Sequence, residues 1–470
     1  MRRRFRFAKP WLPIVFALRT LAASQSEPHQ HEAPGHEGMD MGNMAMPGME
    51  TGGGSAGGWY ASGTSIVPRS TPIDMLHRQV GQWSVMYDAV AWAVYTNQTG
   101  PRGRDKFFSP NRAMLMASHK AGPGMLTIRG MFSLEAATIT NRRYPLLFQT
   151  GETAHGIPII NGQHPHDLLM ELAAAYQIRL GAQTVLNFYG GPRGEPALGP
   201  TAFPHRVSTS ENPLAVLGHH EQDSTHISTN VVTAGITHRR ITLEASAFHG
   251  REPDEKRWGI ESGAIDSFAA RLTVTPASRW SGQVSVGRIN NREATHPLRD
   301  TLRSTASVMY VRPGARGRWA TSVIWGRNND LAYTAQPVAA TSTTLAPRHI
   351  VTVPTRVPRQ IYNSFLVEST VRWRDRNWAW GRAESVDKDS TLLYEEAPYV
   401  SLVDERRFAR VQAYTGGYER ELPVSTSWLS PAIGGQFTVF HVPASLSPVY
   451  GENPASAQLF VRVRVGQAKP

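Results

Sequence analysis

The chain has 470 residues, of which 40% are hydrophobic and 18% are charged, and it contains no cysteine. With no run of about 18 apolar residues, this composition argues against a helical membrane protein and against disulfide or thiolate-metal chemistry. It suits a soluble protein or a β-barrel membrane protein, because a polar lumen dilutes the apolar residues of a barrel. The formal net charge is +12, but the basic residues are scattered and accompany no nucleic-acid motif, so no nucleic-acid partner is predicted.

The first 23 residues are predicted to be an export signal. Arg2-Arg3-Arg4-Phe5-Arg6 forms a basic region, residues 11–18 are mostly apolar, and Leu21-Ala22-Ala23-Ser24 resembles a small-residue cleavage site. A disordered basic leader is the alternative.

Residues 24–58 are predicted to be a disordered tail that binds metal and ends in a glycine-rich linker, because this low-complexity stretch cannot build a core. Thioether sulfur favours Cu(I), and imidazole with nearby carboxylates suits Cu(II). The candidate ligands stand in His-x-His and Met-x-Met spacings and are His29, His31, His36, Met39, Met41, Met44, Met46 and Met49. The alternative is a linker without a ligand. Residues 59–82 follow as a periplasmic lead-in or as an element inside a barrel.

Residues 83–466 alternate between apolar and polar side chains with the period of a β-strand. In one strand Ile241 and Leu243 lie on the face opposite Glu244, and in another Phe268 and Leu272 lie opposite Arg271. The predicted strands span residues 83–97, 111–119, 125–135, 171–180, 184–189, 229–237, 240–249, 268–275, 280–290, 304–312, 320–328, 361–373, 378–387, 407–415, 432–441 and 458–465.

The links between these strands alternate in length. Links after even-numbered strands are short, as at residues 181–183, whereas links after odd-numbered strands are long, as at residues 136–170. Only the link at 416–431 is too long for the rule. Short periplasmic turns, long outer loops and an even strand count are the plan of an outer-membrane barrel. The predicted fold class is therefore all-β, an antiparallel transmembrane β-barrel of about 16 strands (14–18); a soluble sandwich or propeller is the alternative.

The polar face of the strands is predicted to line the lumen and carries charges of both signs. Such charges either favour polar solutes or pair with each other and fix the wall. The predicted lumen residues are Arg129, Arg179, Glu171, Glu244, Arg271, Glu368, Arg372, Arg410, Arg462 and Arg464. Phe460 breaks the alternation of the last strand.

Histidines in two long loops form a second candidate metal site. His164 and His166 share a face in an extended segment, so they could bind one ion together with groups from another loop. The candidate ligands are His164, His166, Asp167, His219 and His220. The alternative is ordinary hydrogen-bonded loop or plug residues. The charged loop start at residues 249–255 is predicted to fold inward or to form a solvated hairpin tip.

The exported tail followed by a barrel resembles the copper-resistance B-type outer-membrane proteins. Residues 131–135, 144–152 and 250–255 are also similar to a family of uncharacterised bacterial outer-membrane β-barrels. The first resemblance implies copper binding, export or resistance in the outer membrane, with the tail in the periplasm and a copper oxidase or carrier there as partner.

Two other functions stay open: a general or solute-specific porin with an incidental tail, and a membrane-embedded hydrolase. No Gly-x-Ser-x-Gly, His-Glu-x-x-His or phosphate-loop motif is present, so a protein without catalytic activity is predicted.

Overall fold

The structure is a computed structural model of the chain that describes residues 59–292, 299–335, 355–394 and 408–466. The predicted signal peptide and metal-binding tail lie outside the described residues. No helix of the described part is long and apolar enough to span a membrane.

Sixteen antiparallel strands form a closed barrel, as the sequence predicts. Each strand pairs with its neighbours in chain order, and the last pairs with the first, so that no edge is left open. The strands are β1 (Trp83–Gln98), β2 (Asn111–Ala121), β3 (Gly124–Phe132), β4 (Leu169–Arg179), β5 (Thr184–Gly194), β6 (Ser228–His238), β7 (Ile241–His249), β8 (Ser267–Ala277), β9 (Trp280–Ile289), β10 (Thr301–Gly314), β11 (Gly317–Asp330), β12 (Gln360–Trp373), β13 (Asn377–Asp389), β14 (Phe408–Glu421), β15 (Leu429–His441) and β16 (Ala455–Val465).

Both ends of the barrel domain meet at one strand position. The short strand Leu76–Val80 pairs with the first residues of β1, and β16 pairs with the remainder of β1, so the two lie end to end beside it. On the other side of β1, Asp105–Phe108 pairs with the last residues of β1 and β2 pairs with the earlier ones, so these two strands also lie end to end. The lead-in before β1 is therefore partly a piece of the barrel wall.

Side chains alternate between the two faces of the wall. Val308, Val323 and Val367 stand in register on the outward faces of β10, β11 and β12, and each is about half exposed. Polar and charged side chains such as Glu244 and Arg271 point inward and are buried. An apolar exterior around a polar interior reverses the pattern of a water-soluble protein and fits a barrel surrounded by lipid.

Short turns occupy one rim and long loops the other. Residues 180–183 and 239–240 make short turns, whereas residues 133–168 and 195–227 form long loops. The link after β14 is shorter than the sequence predicts, because β14 continues to Glu421 and β15 begins at Leu429. This link therefore belongs with the connections of the short-turn rim.

Short elements fill the segments between the barrel strands. Three small hairpins pair Trp59–Tyr60 with Ile66–Val67, Tyr144–Ala154 with Ile157–Gln163, and Tyr333–Ala335 with Thr355–Val357. The α-helices are Glu135–Thr138, His219–Gln222, Ser390–Tyr394 and Ser447–Tyr450, and the 3-10 turns are Thr140–Arg142, Phe203–His205, Val207–Thr209 and Ser224–His226.

Several segments enter the barrel, and we call two of them the N-terminal segment (residues 59–75) and the inner loop (residues 195–227). Arg129 of the wall donates hydrogen bonds to the carbonyl oxygens of Ala61 and Gly63 at 3.1 and 2.5 Å. Thr370 of β12 donates to the carbonyl of Ser208 at 2.6 Å in the inner loop. Because both contacts are made by inward-facing wall residues, both segments fill the lumen.

The inner loop and the wall share an apolar core. Leu214 and Val216 belong to a buried cluster with Trp380 and Phe460, whose ring centroids are 6.1 Å apart. Phe460 breaks the polar pattern of β16 because it packs into this cluster from the inward face. The break in alternation therefore marks a contact inside the barrel.

Candidate functional site in the lumen

The candidate site is a cluster of histidines and carboxylates built from three loops inside the barrel. The loop between β3 and β4 supplies His164 and His166, the inner loop supplies His219, His220 and His226, and the loop after β7 supplies Glu252. Prolines at positions 196, 200, 204 and 213 keep much of the inner loop out of regular structure. Only short helical turns form there, and two of them carry His219, His220 and His226.

The five imidazoles follow one another in a row. Their ring centroids are separated by 5.6 Å between His166 and His226, 5.1 Å between His226 and His219, and 5.4 Å between His219 and His220. A further 6.5 Å separates His220 from His164. We call this set the histidine row.

Each ring of the row has a defined partner. Contacts to carboxylates or a backbone carbonyl orient the rings: His166 Nδ1 to Glu135 at 2.9 Å, His219 Nδ1 to Asp223 at 2.7 Å, His226 Nδ1 to the Asp223 carbonyl at 2.8 Å, His164 Nε2 to Glu152 at 2.9 Å and His220 Nδ1 to Glu252 at 3.4 Å. The contacts of His166, His219 and His226 are hydrogen bonds, which fix the tautomer and orientation of an imidazole, as they do around metal-binding histidines.

Arginines neutralise the carboxylates behind the row. Arg206 contacts Asp223 and Glu368 at 2.7 Å each. Arg257 pairs with Glu152, and also with Asp167 at 3.1 Å. These ion pairs compensate charges that would otherwise be buried without a partner, which is strongly unfavourable.

The electrostatics keep His219 neutral and Asp223 ionised. Burial lowers the pKa of His219 to about 4, although the hydrogen bond and charge of Asp223 act in the opposite direction. Burial disfavours the ionised form of Asp223, but the hydrogen bond from His219 and the charge of Arg206 outweigh it and hold the pKa below its usual range. A neutral imidazole retains a nitrogen lone pair for a ligand.

The structure brings the sequence-predicted loop residues together. His164, His166, His219 and His220 belong to the row, and Asp167 lies beside it in an ion pair with Arg193 at 2.7 Å. Within the described residues, no three His, Asp or Glu side chains form a ready-made metal-binding group. The tail ligands predicted from His29 to Met49 lie outside the described residues.

Most predicted lumen residues lie on inward faces, and many are paired. Arg129 contacts Glu171 at 3.3 Å, Arg271 contacts Glu244 at 3.0 Å, and Arg462 contacts Glu419 at 2.6 Å. Arg372 and Arg464 are partly buried near Trp378, Glu368 is buried, and Arg179 is exposed at the end of β4.

The assignment of Arg410 to the lumen is wrong. Ala409 and Val411 of β14 are buried inside the barrel, so Arg410 between them points outward. There it pairs with Asp387 of β13 at 2.8 Å, with half of its side chain exposed. Alternation alone does not place Arg410 correctly, because polar residues near a strand end also occur on the outward face, beyond the edge of the apolar band.

Other residues of the site carried only weak signals in the sequence. Glu135 was placed at the end of a predicted strand, but it begins a short helix and contacts His166. Glu252 confirms that the charged loop start at 249–255 folds inward, because it is buried and contacts His220. Arg206 has no motif to mark it, and Glu152 is marked only as the last residue of the stretch 144–152 that carries a family resemblance.

Comparisons with known proteins find similarity among solved structures. No protein-family model matches the chain, and no curated protein is similar to it in sequence. Among solved structures, an anion-selective porin from Comamonas acidovorans is 11% identical, with a TM-score of 0.47 over 81% of this chain and 99% of that one. OmpF from Salmonella typhi in complex with daunomycin is 8% identical, with a TM-score of 0.45 over 82% and 100%. The outer-membrane channel DcaP of Acinetobacter baumannii is 9% identical, with a TM-score of 0.41 over 82% and 99%.

These likenesses concern the fold alone. The class of the protein follows from its own architecture, since a closed antiparallel barrel with an apolar exterior and a polar interior is built for the bacterial outer membrane. The chain is therefore a bacterial outer-membrane β-barrel.

Proposed function

We propose that the chain is an outer-membrane channel for polar solutes whose lumen is closed at rest by the N-terminal segment and the inner loop. The observation that carries this proposal is the lumen wall. Charged pairs such as Arg271 with Glu244 and Arg129 with Glu171 line it, whereas a barrel that only needed a core could fill its interior with apolar side chains. A charged wall favours polar solutes over apolar ones.

The two inner segments are held with unequal strength. The inner loop is tied to the wall by buried ion pairs and hydrogen bonds, including Arg206 with Glu368 and the Leu217 amide with Glu384 at 2.5 Å. The N-terminal segment is held by hydrogen bonds to its backbone and to its side chains, such as that from Arg271 to Thr64 at 2.8 Å, and by the partly exposed ion pair of Asp74 with Arg318. The N-terminal segment is therefore the part that moves first when the channel opens.

Removal of the N-terminal segment tests this channel. A chain lacking residues 59–72 keeps the strand Leu76–Val80 and should show stable current steps in planar bilayers, whereas the full chain should be nearly silent. A chain lacking 14 residues of the tail, 30–43, serves as the control and should behave like the full chain. Equal conductance of all three proteins would refute closure by the N-terminal segment.

Copper handling is a second candidate function, favoured by the composition of the tail and by the histidine row in the lumen. In this alternative the tail captures copper, and the lumen gives it passage or anchors a periplasmic oxidase or carrier. The full chain is compared with a variant in which the tail histidines are changed to alanine and the tail methionines to leucine. The variant should bind fewer Cu(I) ions tightly per chain than the full chain does. Equal binding by both proteins would exclude capture by the tail.

A further inference from the structure

The histidine row contains a pair of rings spaced for a shared ligand. When two imidazoles bind one metal at about 2.0 to 2.1 Å, their ring centroids lie roughly 5 to 6.5 Å apart. The centroids of His219 and His226 are 5.1 Å apart, and their planes are inclined at 64°. The pair therefore has the separation of two ligands of a single ion.

One nitrogen of the pair is also available to a ligand. In both rings Nδ1 is occupied, by the Asp223 carboxylate in His219 and by the Asp223 carbonyl in His226. Nε2 of His226 is buried and has no hydrogen-bond partner. A buried polar atom without a partner costs about 1 to 3 kcal/mol, which a bound ligand would relieve.

The surroundings favour a soft ion. Met131 and Met170 form a buried cluster with Ile227, the neighbour of His226, and Met131 Sδ lies 3.0 Å from His205 Nε2. Phe203 packs against both rings of the pair, with centroid distances of 5.5 and 5.9 Å. Imidazole donors beside an aromatic ring, in a region that also contains two buried methionines, suit Cu(I) better than a hard ion.

We propose that His219 and His226 bind a Cu(I) ion inside the lumen, with His166 as the next imidazole of the row. Zn²⁺ fits less well because structural zinc sites use four ligands, and no three such side chains converge among the residues that the structure describes. Cu(I) accepts two or three ligands, and the centroid separation of 5.1 Å corresponds to a bent pair that leaves room for a third donor. The copper site and the proposed channel function are tested independently, because copper binding and conductance are measured in separate experiments.

The test uses the full chain, with the tail ligands neutralised so that only sites in the barrel remain. His29, His31 and His36 are changed to glutamine, and Met39, Met41, Met44, Met46 and Met49 to leucine. This protein is titrated anaerobically in detergent with Cu(I) against a chromophoric chelator. It should bind one Cu(I) ion per chain with a dissociation constant below micromolar. X-ray absorption should then show nitrogen ligands.

Adding His219→Gln and His226→Gln should weaken the binding of that ion by at least 100-fold, whereas adding His441→Gln at an exposed position of β15 should leave it unchanged. Heat-modifiable migration on gels checks that every variant still forms the barrel. Absence of a tightly bound ion in the tail-neutralised protein, or unchanged binding after the double substitution, would overturn the proposal. A preference for Zn²⁺ over Cu(I) would also overturn it.

Discussion

Arg206 illustrates how single residues hold the inner loop in place. Its guanidinium is fully buried between Asp223, which orients His219, and Glu368 of the wall. One side chain thus connects the histidine row to β12. Without it Asp223 would lose its arginine partner, and Glu368 would keep only the longer contact with Arg382 at 3.4 Å, so the loop and the row depend on this residue together.

Replacing Arg206 by methionine keeps the length of the side chain and removes the charge. We expect a loss of about 3 to 5 kcal/mol in the attachment of the inner loop, since Asp223 loses its arginine partner and Glu368 loses the shorter of its two arginine contacts. Faster protease cleavage within residues 195–227 would report the release, while the barrel stays intact on gels. Arg239→Met, at an exposed turn, is the control and should not change cleavage.

Glu195, the first residue of the inner loop, should make the N-terminal segment sensitive to pH. Burial raises its pKa to about 8, although a hydrogen bond with Ser62 and the charge of Arg271 act in the opposite direction. A group whose pKa rises from 4.5 to about 8 on folding contributes stability below pH 4.5, and this contribution is lost as the pH approaches 8.

Hydrogen exchange of residues 61–67, corrected for the intrinsic effect of pH, should therefore be faster at pH 9 than at pH 6. Glu195→Gln cannot ionise, so it should remove most of this difference. If the difference persists in the variant, another group is responsible.

At the scale of elements, the wall has an indentation for the short helix His219–Gln222. Gly326 of β11 faces this helix, and a β-carbon at that position would lie 2.3 Å from the carbonyl oxygen of Glu221. Arg303 and Asn328 also donate to the carbonyl oxygen of His220, the latter at 2.8 Å. The wall therefore binds the helix through its backbone, and glycine at 326 allows the close approach.

Gly326→Ala should push the helix away from the wall and loosen the inner loop, because the contact is with backbone rather than with a flexible side chain. Cleavage of residues 195–227 by protease is again the measurement. Gly416→Ala is a matched control, since a β-carbon there meets nothing within 4 Å. If protease cleaves both variants at the same rate, the wall can accommodate the added methyl group at Gly326 and the prediction is wrong.

The sequence predicted the elements much better than their arrangement inside the barrel. Alternation of apolar and polar residues specifies which face of a strand points outward, so all sixteen strands could be recognised from local pattern. The course of the inner loop depends instead on pairs such as Arg206 and Glu368, which are 162 positions apart. No local pattern encodes such a pair, so the loop histidines were recognised as candidates without their partners.

For the whole molecule, the apolar band around the barrel is the feature that commits it to a membrane. Val308, Val323 and Val367 form one continuous row across three strands. In water such a surface would drive aggregation, whereas in lipid it is the solvated face.

An arginine on the outer face of the barrel should therefore impair assembly according to its depth in the membrane. Val323→Arg lies in the middle of β11 and should cost about 2 to 4 kcal/mol, whereas Val80→Arg at the rim should cost about 0 to 1 kcal/mol. The midpoint of urea unfolding in vesicles is the measurement. Equal midpoints for the two variants would contradict the position of the band.

The shared strand position of Leu76–Val80 and β16 has a consequence for biogenesis. Hairpins from β2 to β15 can form as soon as their residues are available, but β1 keeps an unpaired edge until the final strand arrives. A chain that stops before residue 455 can therefore complete nearly every hairpin and still present an open edge to other chains. The pairing of β16 with β1 is therefore the step that distinguishes a complete barrel from a truncated one.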